Sequence, residues 1–357
     1  LLFPYWLILK IRHFMYDHGL KKVHSADVPT ICVGNITVGG TGKTPHTEML
    51  LRTLMQNVDW GAKNIAVLSR GYKRSTKGFQ QVVADGTAKE FGDEPLQIKR
   101  KVPFITVAVD KSRKEGCDFL CNPDLVQTSK KARRCLHKDF PKADLIILDD
   151  AFQHRALKPA VSIVLVDYNR PIFKDHLMPL GKLRDLPERI KAADIIIVSK
   201  CPTYLDAWEK GKWTEALGIR NDQHIFFTSI GYDNSQAVFP EGDPRYLYPQ
   251  RLILFSGIAN DKPLRNYLSG NYKIIRHFDF PDHHKFSRAD ITSIHNAACA
   301  FPTSVVMTTE KDCQRVRDCK KLPDNLKQRL FYTPIKTVFF SDEEQATFMA
   351  TLNGLLK

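Results

Sequence analysis

The feature that most constrains this chain is the run Gly34-Asn35-Ile36-Thr37-Val38-Gly39-Gly40-Thr41-Gly42-Lys43-Thr44-Pro45. A largely apolar stretch from Val28 to Val33 leads into it, and an amphipathic pattern of Met49, Leu50, Leu51, Leu54 and Met55 follows. A glycine-rich turn therefore joins a strand to a helix, the setting of a phosphate-binding loop. Glycines let backbone N–H groups turn in toward phosphate oxygens, and the helix N-terminus adds the positive end of its dipole. On this reading Thr37, Val38, Gly39, Gly40, Thr41, Gly42, Lys43 and Thr44 wrap a nucleotide's phosphates. Lys43 reaches the β- and γ-phosphates, and the Thr44 hydroxyl suits Mg²⁺. The usual pattern G-x-x-x-x-G-K-[ST] has glycine where this chain has Thr37. Gly39 and Gly40 are expected to supply the missing freedom. The plain alternative is a turn that only connects two elements.

A second signal is Asp144-Leu145-Ile146-Ile147-Leu148-Asp149-Asp150. Four apolar residues closed by paired acids have the form of a Walker B strand, whose terminal carboxylate holds Mg²⁺ directly or through water. Charges at the end of a buried strand are costly unless a cation or donors meet them, which makes Asp149 and Asp150 metal candidates. The continuation through Arg155 adds polar side chains, His154 among them, at the same edge. A strand over Asn64 to Leu68 ends in Ser69-Arg70-Gly71-Tyr72, and polar residues after a buried parallel strand lie where open α/β sheets bind ligands. Arg70 is thus a candidate phosphate or substrate contact. Gly92-Asp93-Glu94-Pro95 opens a helix; Asp93 is either its N-cap or a carboxylate poised near the phosphates. Within Pro179 to Asp185, Arg184 either neutralises phosphate charge or pairs with Asp185.

Further strands over 102–109, 161–166 and 194–199 bring the count to at least six with helical crossovers. The expected fold class is α/β, a doubly wound parallel sheet. After Cys201 the character changes. Extended pieces at 225–230 and 237–239 read as a hairpin-like linker, followed by the turn chemistry of Pro240 to Pro244. The remainder alternates strand and helix again, as a second, smaller α/β domain. Its loop Pro281-Asp282-His283-His284 sets two histidines and an aspartate just past a strand end.

The segment from Leu1 to Met15 is rich in large apolar residues, but its uncharged run stops at Lys10, short of the ~20 residues a membrane-spanning helix needs. Tyr5 and Trp6 suit a headgroup region, and Lys10, Arg12, Lys21 and Lys22 suit anionic lipid. A helix docked in its own core is the alternative. The whole chain carries a formal net charge of +14, which calls for an anionic partner: nucleotide, nucleic acid or acidic lipid. No aromatic and basic interleaving typical of nucleic-acid surfaces is present. Eight scattered cysteines without a Cys-x-x-Cys pair point to free thiols in a reducing, cytoplasmic setting.

Taken together, Thr37 to Pro45, Ser69 to Tyr72, Gly92 to Pro95, Asp149 to His154, Pro179 to Asp185, Asp282-His283 and Thr309-Glu310-Lys311-Asp312 resemble, in order, the pattern of the tetraacyldisaccharide 4′-kinases, the lipid A 4′-kinases of Gram-negative bacteria. The resemblance implies a monomeric P-loop kinase at the cytoplasmic face of the inner membrane. It would transfer the γ-phosphoryl group of ATP to the 4′-hydroxyl of a tetraacylated glucosamine disaccharide 1-phosphate. It also implies Asp93 as general base oriented by His283, Asp149 and Asp150 as Mg²⁺ and nucleotide carboxylates, and Arg184 as charge neutraliser. Asp185 would be a metal or phosphate contact, and Arg70, Glu94 and His154 substrate contacts. The family commonly has Glu where this chain has Asp185, and glycine where it has Ala151. The expected organisation is a surface helix over 1–22, a nucleotide-binding domain over 23–235 and a smaller domain over 236–357 that closes on the site. The competing reading is a P-loop GTPase or ATPase switch or a metallocentre-type nucleotide hydrolase. It would need a guanine-reading element, for which Ser199-Lys200 is at most a part.

Overall fold

The computed structural model describes residues 2–319 and 321–357, with side chains from Pro4 onward. The chain divides into two compact units, Leu1–Ile230 with Thr337–Lys357, and Gly231–Lys336.

The larger unit begins with helix α1 (Leu2–Asp17) and then lays down β1 (Thr30–Asn35), helix α2 (Lys43–Gln56), β2 (Ile65–Ser69) and β3 (Gln80–Gln81). Short helix α3 (Ala88–Phe91), helix α4 (Asp93–Lys101), β4 (Thr106–Val109), helix α5 (Arg113–Cys121), β5 (Leu145–Asp149), β6 (Val161–Asp167), β7 (Ile195–Cys201) and β8 (His224–Tyr232) follow. Strands β1, β2, β4 and β5 are buried along their whole length, because their side chains alternate between two covered faces. Cys32, Ala66, Leu68, Ile146, Leu148, Val164 and Ile196 enter one apolar cluster, and Ile31, Val33, Ile65, Val67, Leu145, Ile147 and Ile163 enter the other.

The smaller unit contains β9 (Gln236–Ala237), β10 (Arg251–Ser256), β11 (Lys273–Asp279), β12 (Val305–Thr309) and β13 (Leu330–Thr333). They form a sheet of order β11-β10-β12-β13-β9, parallel except at β9. A last strand, β14 (Ile335–Phe339), lies beside β8, completing the order β14-β8-β7-β6-β1-β5-β2-β4-β3. From β1 the chain moves to one side with β2 and β4, returns through β5, and crosses β1 to continue with β6 and β7. Such a reversal opens a crevice at the carboxyl end of the central strand, where the glycine-rich loop leaves β1.

Two expectations are corrected. The pieces at 225–230 and 237–239 do not pair as a hairpin: β8 runs parallel to β7, and β9 pairs antiparallel with β13. The chain after 236 is not all one domain either. The terminal helix Asp342–Leu356 buries Phe348 and Leu352 in the larger unit's core, with Phe348 edge-on to Phe226 at 5.3 Å between ring centroids. Acidic spacers in its first turn hide the apolar residues 348, 349 and 352 in the sequence, and only the core it completes identifies its place.

Candidate active site

The phosphate loop accommodates Thr37 because that position needs no glycine. Thr37 is buried and forms an extended bridge with Leu183, and the Val38 N–H donates to the Lys182 carbonyl at 2.7 Å. Positive φ falls instead on Gly39 (102°) and Gly42 (86°). Asn35, at the end of β1, donates through Nδ2 to the hydroxyls of Thr41 (2.7 Å) and Thr37 (3.4 Å), pinning the loop from inside. Ser199 Oγ donates to the Thr41 carbonyl at 2.9 Å, and Lys200 Nζ bonds the Gly40 carbonyl and Asp167. The partial guanine-type element therefore backs the loop.

Lys43 and Thr44 open α2. Lys43 Nζ lies 3.7 Å from Asp150 Oδ1, joining the two strongest sequence signals. Asp150 has a left-handed backbone (φ 50°) and holds the Arg184 guanidinium through both carboxylate oxygens. The same guanidinium donates to the Asn35 side-chain oxygen at 2.5 Å. Burial alone would raise the Asp150 carboxyl, but Lys43, Arg184 and Arg113 together hold it below the usual carboxylate range. Asp149 differs. It is buried, accepts from Ser69 Oγ (3.2 Å) and weakly from Thr47 Oγ1 (3.4 Å), and burial with Glu94 and Asp150 close by pushes it up to about 7. A divalent cation would relieve this excess of negative charge. Thr44, Asp149 and Asp150 supply the oxygen donors Mg²⁺ prefers, so the residues present fit that ion.

Asp93 is the first helical residue of α4, and Gly92 (φ 94°) takes the N-cap position. A Cβ on Gly92 would come within 3.2 Å of the Tyr72 carbonyl, so α4 starts against the turn that follows β2. Glu94 raises Asp149 from the same helical turn, which places the start of α4 at the acidic edge. Arg70 is exposed at that edge, and His154 is half-buried there. Burial, then Arg113, Arg12 and Arg70, lower the His154 imidazole below its ordinary range.

Asp185 departs from the expected role. It is fully buried, and its Oδ1 meets His13 Nε2 at 2.7 Å and the Leu186 N–H at 2.9 Å. That is a clamp on α1. Ala151 also needs no glycine: the left-handed residue is Asp150, and the close approach is absorbed by Gly34, where a Cβ would sit 2.5 Å from Phe152 Cβ.

His283 belongs to the smaller unit. It has a left-handed backbone (φ 62°), its N–H donates to the Gly257 carbonyl, and its ring nitrogens lie 3.4 Å from Arg315 and 3.3 Å from Lys311. Asp312, fully buried, accepts from the Gly257 N–H, Thr309 Oγ1 and Arg315. The Thr309–Asp312 motif thus builds the support under His283.

Sequence reading missed Asn35, Ser69 and Arg113. Arg113 is buried in the first turn of α5 and donates to the Asp149 carbonyl at 3.0 Å. Its only sequence signal is a cation just after the end of β4.

A sequence model described as tetraacyldisaccharide-1-P 4′-kinase matches residues 1–354. This chain belongs to that family. The tetraacyldisaccharide 4′-kinase of Phocaeicola vulgatus is 37% identical over 342 residues, covering 94% of this chain and 88% of the relative. That of Porphyromonas gingivalis is 34% identical over 359 residues, 99% of this chain and 95% of the relative. The crystal structure of "apo" form LpxK from Aquifex aeolicus in complex with ATP covers 100% of this chain and 97% of its own, at 24% identity and a TM-score of 0.71. That likeness establishes the shared fold. The protein is accordingly an ATP-dependent kinase of lipid A biosynthesis, acting on the 4′ position of a tetraacyldisaccharide 1-phosphate.

Proposed function

We propose that this kinase works at a lipid surface with Mg²⁺, and that the residues at the carboxyl edge of β1, β2 and β5 carry the transfer. The observation that supports this most is the junction of Lys43, Asp150 and Arg184 beside the phosphate loop. Phosphoryl transfer depends mainly on positioning and charge compensation. The loop amides and Lys43 bind the β- and γ-phosphates. Thr44, Asp149 and Asp150 hold Mg²⁺, which when bound neutralises phosphate charge. Arg184 adds a cation on the same side, prearranged by Asp150 and Asn35. Asp93 takes the proton from the 4′-hydroxyl as it attacks, and the family resemblance assigns His283 to orienting that carboxylate. Glu94, Arg70 and His154 contact the acceptor.

The lipid acceptor brings the reaction to a membrane, and α1 suits that place. Ile8, Ile11 and Phe14 are more than half exposed, with Trp6 and Leu7 also open. Lys10 lies among them, and Lys21 and Lys22 follow. Among the described residues no helix is long and apolar enough to cross a membrane; on the reading proposed here the protein lies on the cytoplasmic leaflet through α1 and acts as a monomer.

The test is Asp93→Asn assayed with ATP and a tetraacylated disaccharide monophosphate dispersed in vesicles. Losing a general base should lower kcat about 10²- to 10⁴-fold with ATP affinity unchanged. Full activity would make Asp93 only the first residue of a helix. A cycle combining it with His283→Ala should be non-additive if the two act together.

A further inference from the structure

Helix α1 has two faces with different work. Its outer face is the apolar one. Its inner face, Tyr5, Leu9, Arg12, His13 and Tyr16, sends its polar contacts to the segments that hold the catalytic edge together. Tyr5 Oη donates to the Arg184 carbonyl at 2.9 Å. His13 meets Asp185 at 2.7 Å. Arg12 donates to the Gln153 carbonyl at 2.5 Å, and Gln153 in turn donates to the Asn35 carbonyl at 2.7 Å. Arg155 Nη1 lies 3.2 Å from His13 Nδ1 and donates to the His13 carbonyl at 3.1 Å. A guanidinium can only donate, so Nδ1 accepts and the ring proton sits on Nε2, directed at Asp185. His13 is 5% exposed and Asp185 0%, so water does not compete for this bond.

We propose that Tyr5, His13 and Asp185 are positioning residues for phosphoryl transfer. From α1 they grip the backbone of Arg184 and the side chain of its neighbour, and so hold the Arg184 guanidinium against Asp150 and Asn35. The assignment rests on Arg184 acting at the transferred phosphoryl group. A hydrogen bond at the carbonyl and a buried pair one residue later fix both ends of the 184–185 peptide, which leaves the guanidinium no backbone freedom to swing from the loop. The shorter Asp185 suits this use: its Oδ1 accepts both His13 Nε2 and the next backbone N–H.

The full-length protein is assayed with ATP and the lipid acceptor in anionic vesicles. Tyr5→Phe and His13→Leu are expected to lower kcat about ten- to a hundredfold, since small misplacement of a positioned group costs that much, while KM for ATP and the vesicle-bound fraction stay unchanged. His13→Gln, whose amide N–H can replace Nε2–H, should recover most of the rate. In an Arg184→Ala background His13→Leu should add no further loss. Wild-type kcat in both Tyr5→Phe and His13→Leu overturns the proposal, as does a loss confined to thermal stability or vesicle binding. Additive losses with Arg184→Ala would also overturn it. Full activity of Arg184→Ala alone would remove the role of Arg184 itself, a separate failure. Should His13→Leu not fold, Tyr5→Phe, which deletes one oxygen from a partly buried ring, still decides.

Discussion

His46, in the first turn of α2, donates from Nδ1 to the Gly42 carbonyl (2.7 Å) and accepts at Nε2 from Thr228 Oγ1 (2.9 Å). A buried neutral ring thus braces the end of the phosphate loop. Burial takes its pKa down from 6.5 to about 4. The folded chain therefore disfavours the proton that the unfolded chain accepts, so the ring's contribution is complete above pH 6.5 and disappears as pH falls from 6.5 through about 4. The linked loss is about 3 kcal/mol. Urea unfolding at a series of pH values should show this slope in the wild type and a shallower one in His46→Gln. An equal slope in both would place the acid sensitivity elsewhere. Gly34 makes a second point at this scale. Its missing Cβ lets the turn carrying Asp150 cross β1, with the Asp150 N–H on the Val33 carbonyl at 2.9 Å. Gly34→Ala should cost about 1–3 kcal/mol by overpacking and also slow turnover, because relief of the clash must move Phe152 and with it Asp150. A thermal melt and an initial-rate assay check the two halves.

Among the elements, the terminal helix Asp342–Leu356 contributes through Phe348, which is fully buried and packed with Phe226 and Phe339 at 5.3 and 5.1 Å between ring centroids. Phe348→Ala should destabilise the larger unit by about 3–5 kcal/mol. Hydrogen exchange resolved by segment should then show faster exchange in β7 and β8. If only the smaller unit loosens, the helix has been assigned to the wrong core. Helix α1 is the opposite case: Leu9 and His13 are its buried side chains among the described ones, and hydrogen bonds to Gln153, Arg155, Arg184 and Asp185 give it its seat. Ile8→Glu with Ile11→Glu alters only the exposed face. Co-sedimentation with anionic vesicles should fall severalfold, as two apolar anchors become charges repelled by the leaflet, while ATP affinity is kept. Unchanged sedimentation at physiological salt would show that α1 is not the lipid-facing element.

At the scale of the whole molecule, a +14 chain acting on a phosphorylated lipid meets one anionic target in the acceptor and, on the proposed reading, a second in the leaflet, and charge alone does not divide them. What the sequence determined by itself is what short-range chemistry writes into it. Continuous apolar runs specified the central strands of the large sheet, the glycines at 39, 40 and 42 specified a loop that turns its amides inward, and the acids at the end of β5 specified where charge collects. That Lys43 would meet the acid at 150 was legible for that reason. Tertiary structure alone decided what depends on residues distant in the chain. Asn35 and Arg113 joined the candidate site because β1, β5 and α5 converge, and Arg184 found two of its partners more than a hundred residues upstream. Asp185, legible as an acid, was paired with a histidine 172 residues away. A side chain's type is local, but the dielectric and partners that set its work are supplied by packing.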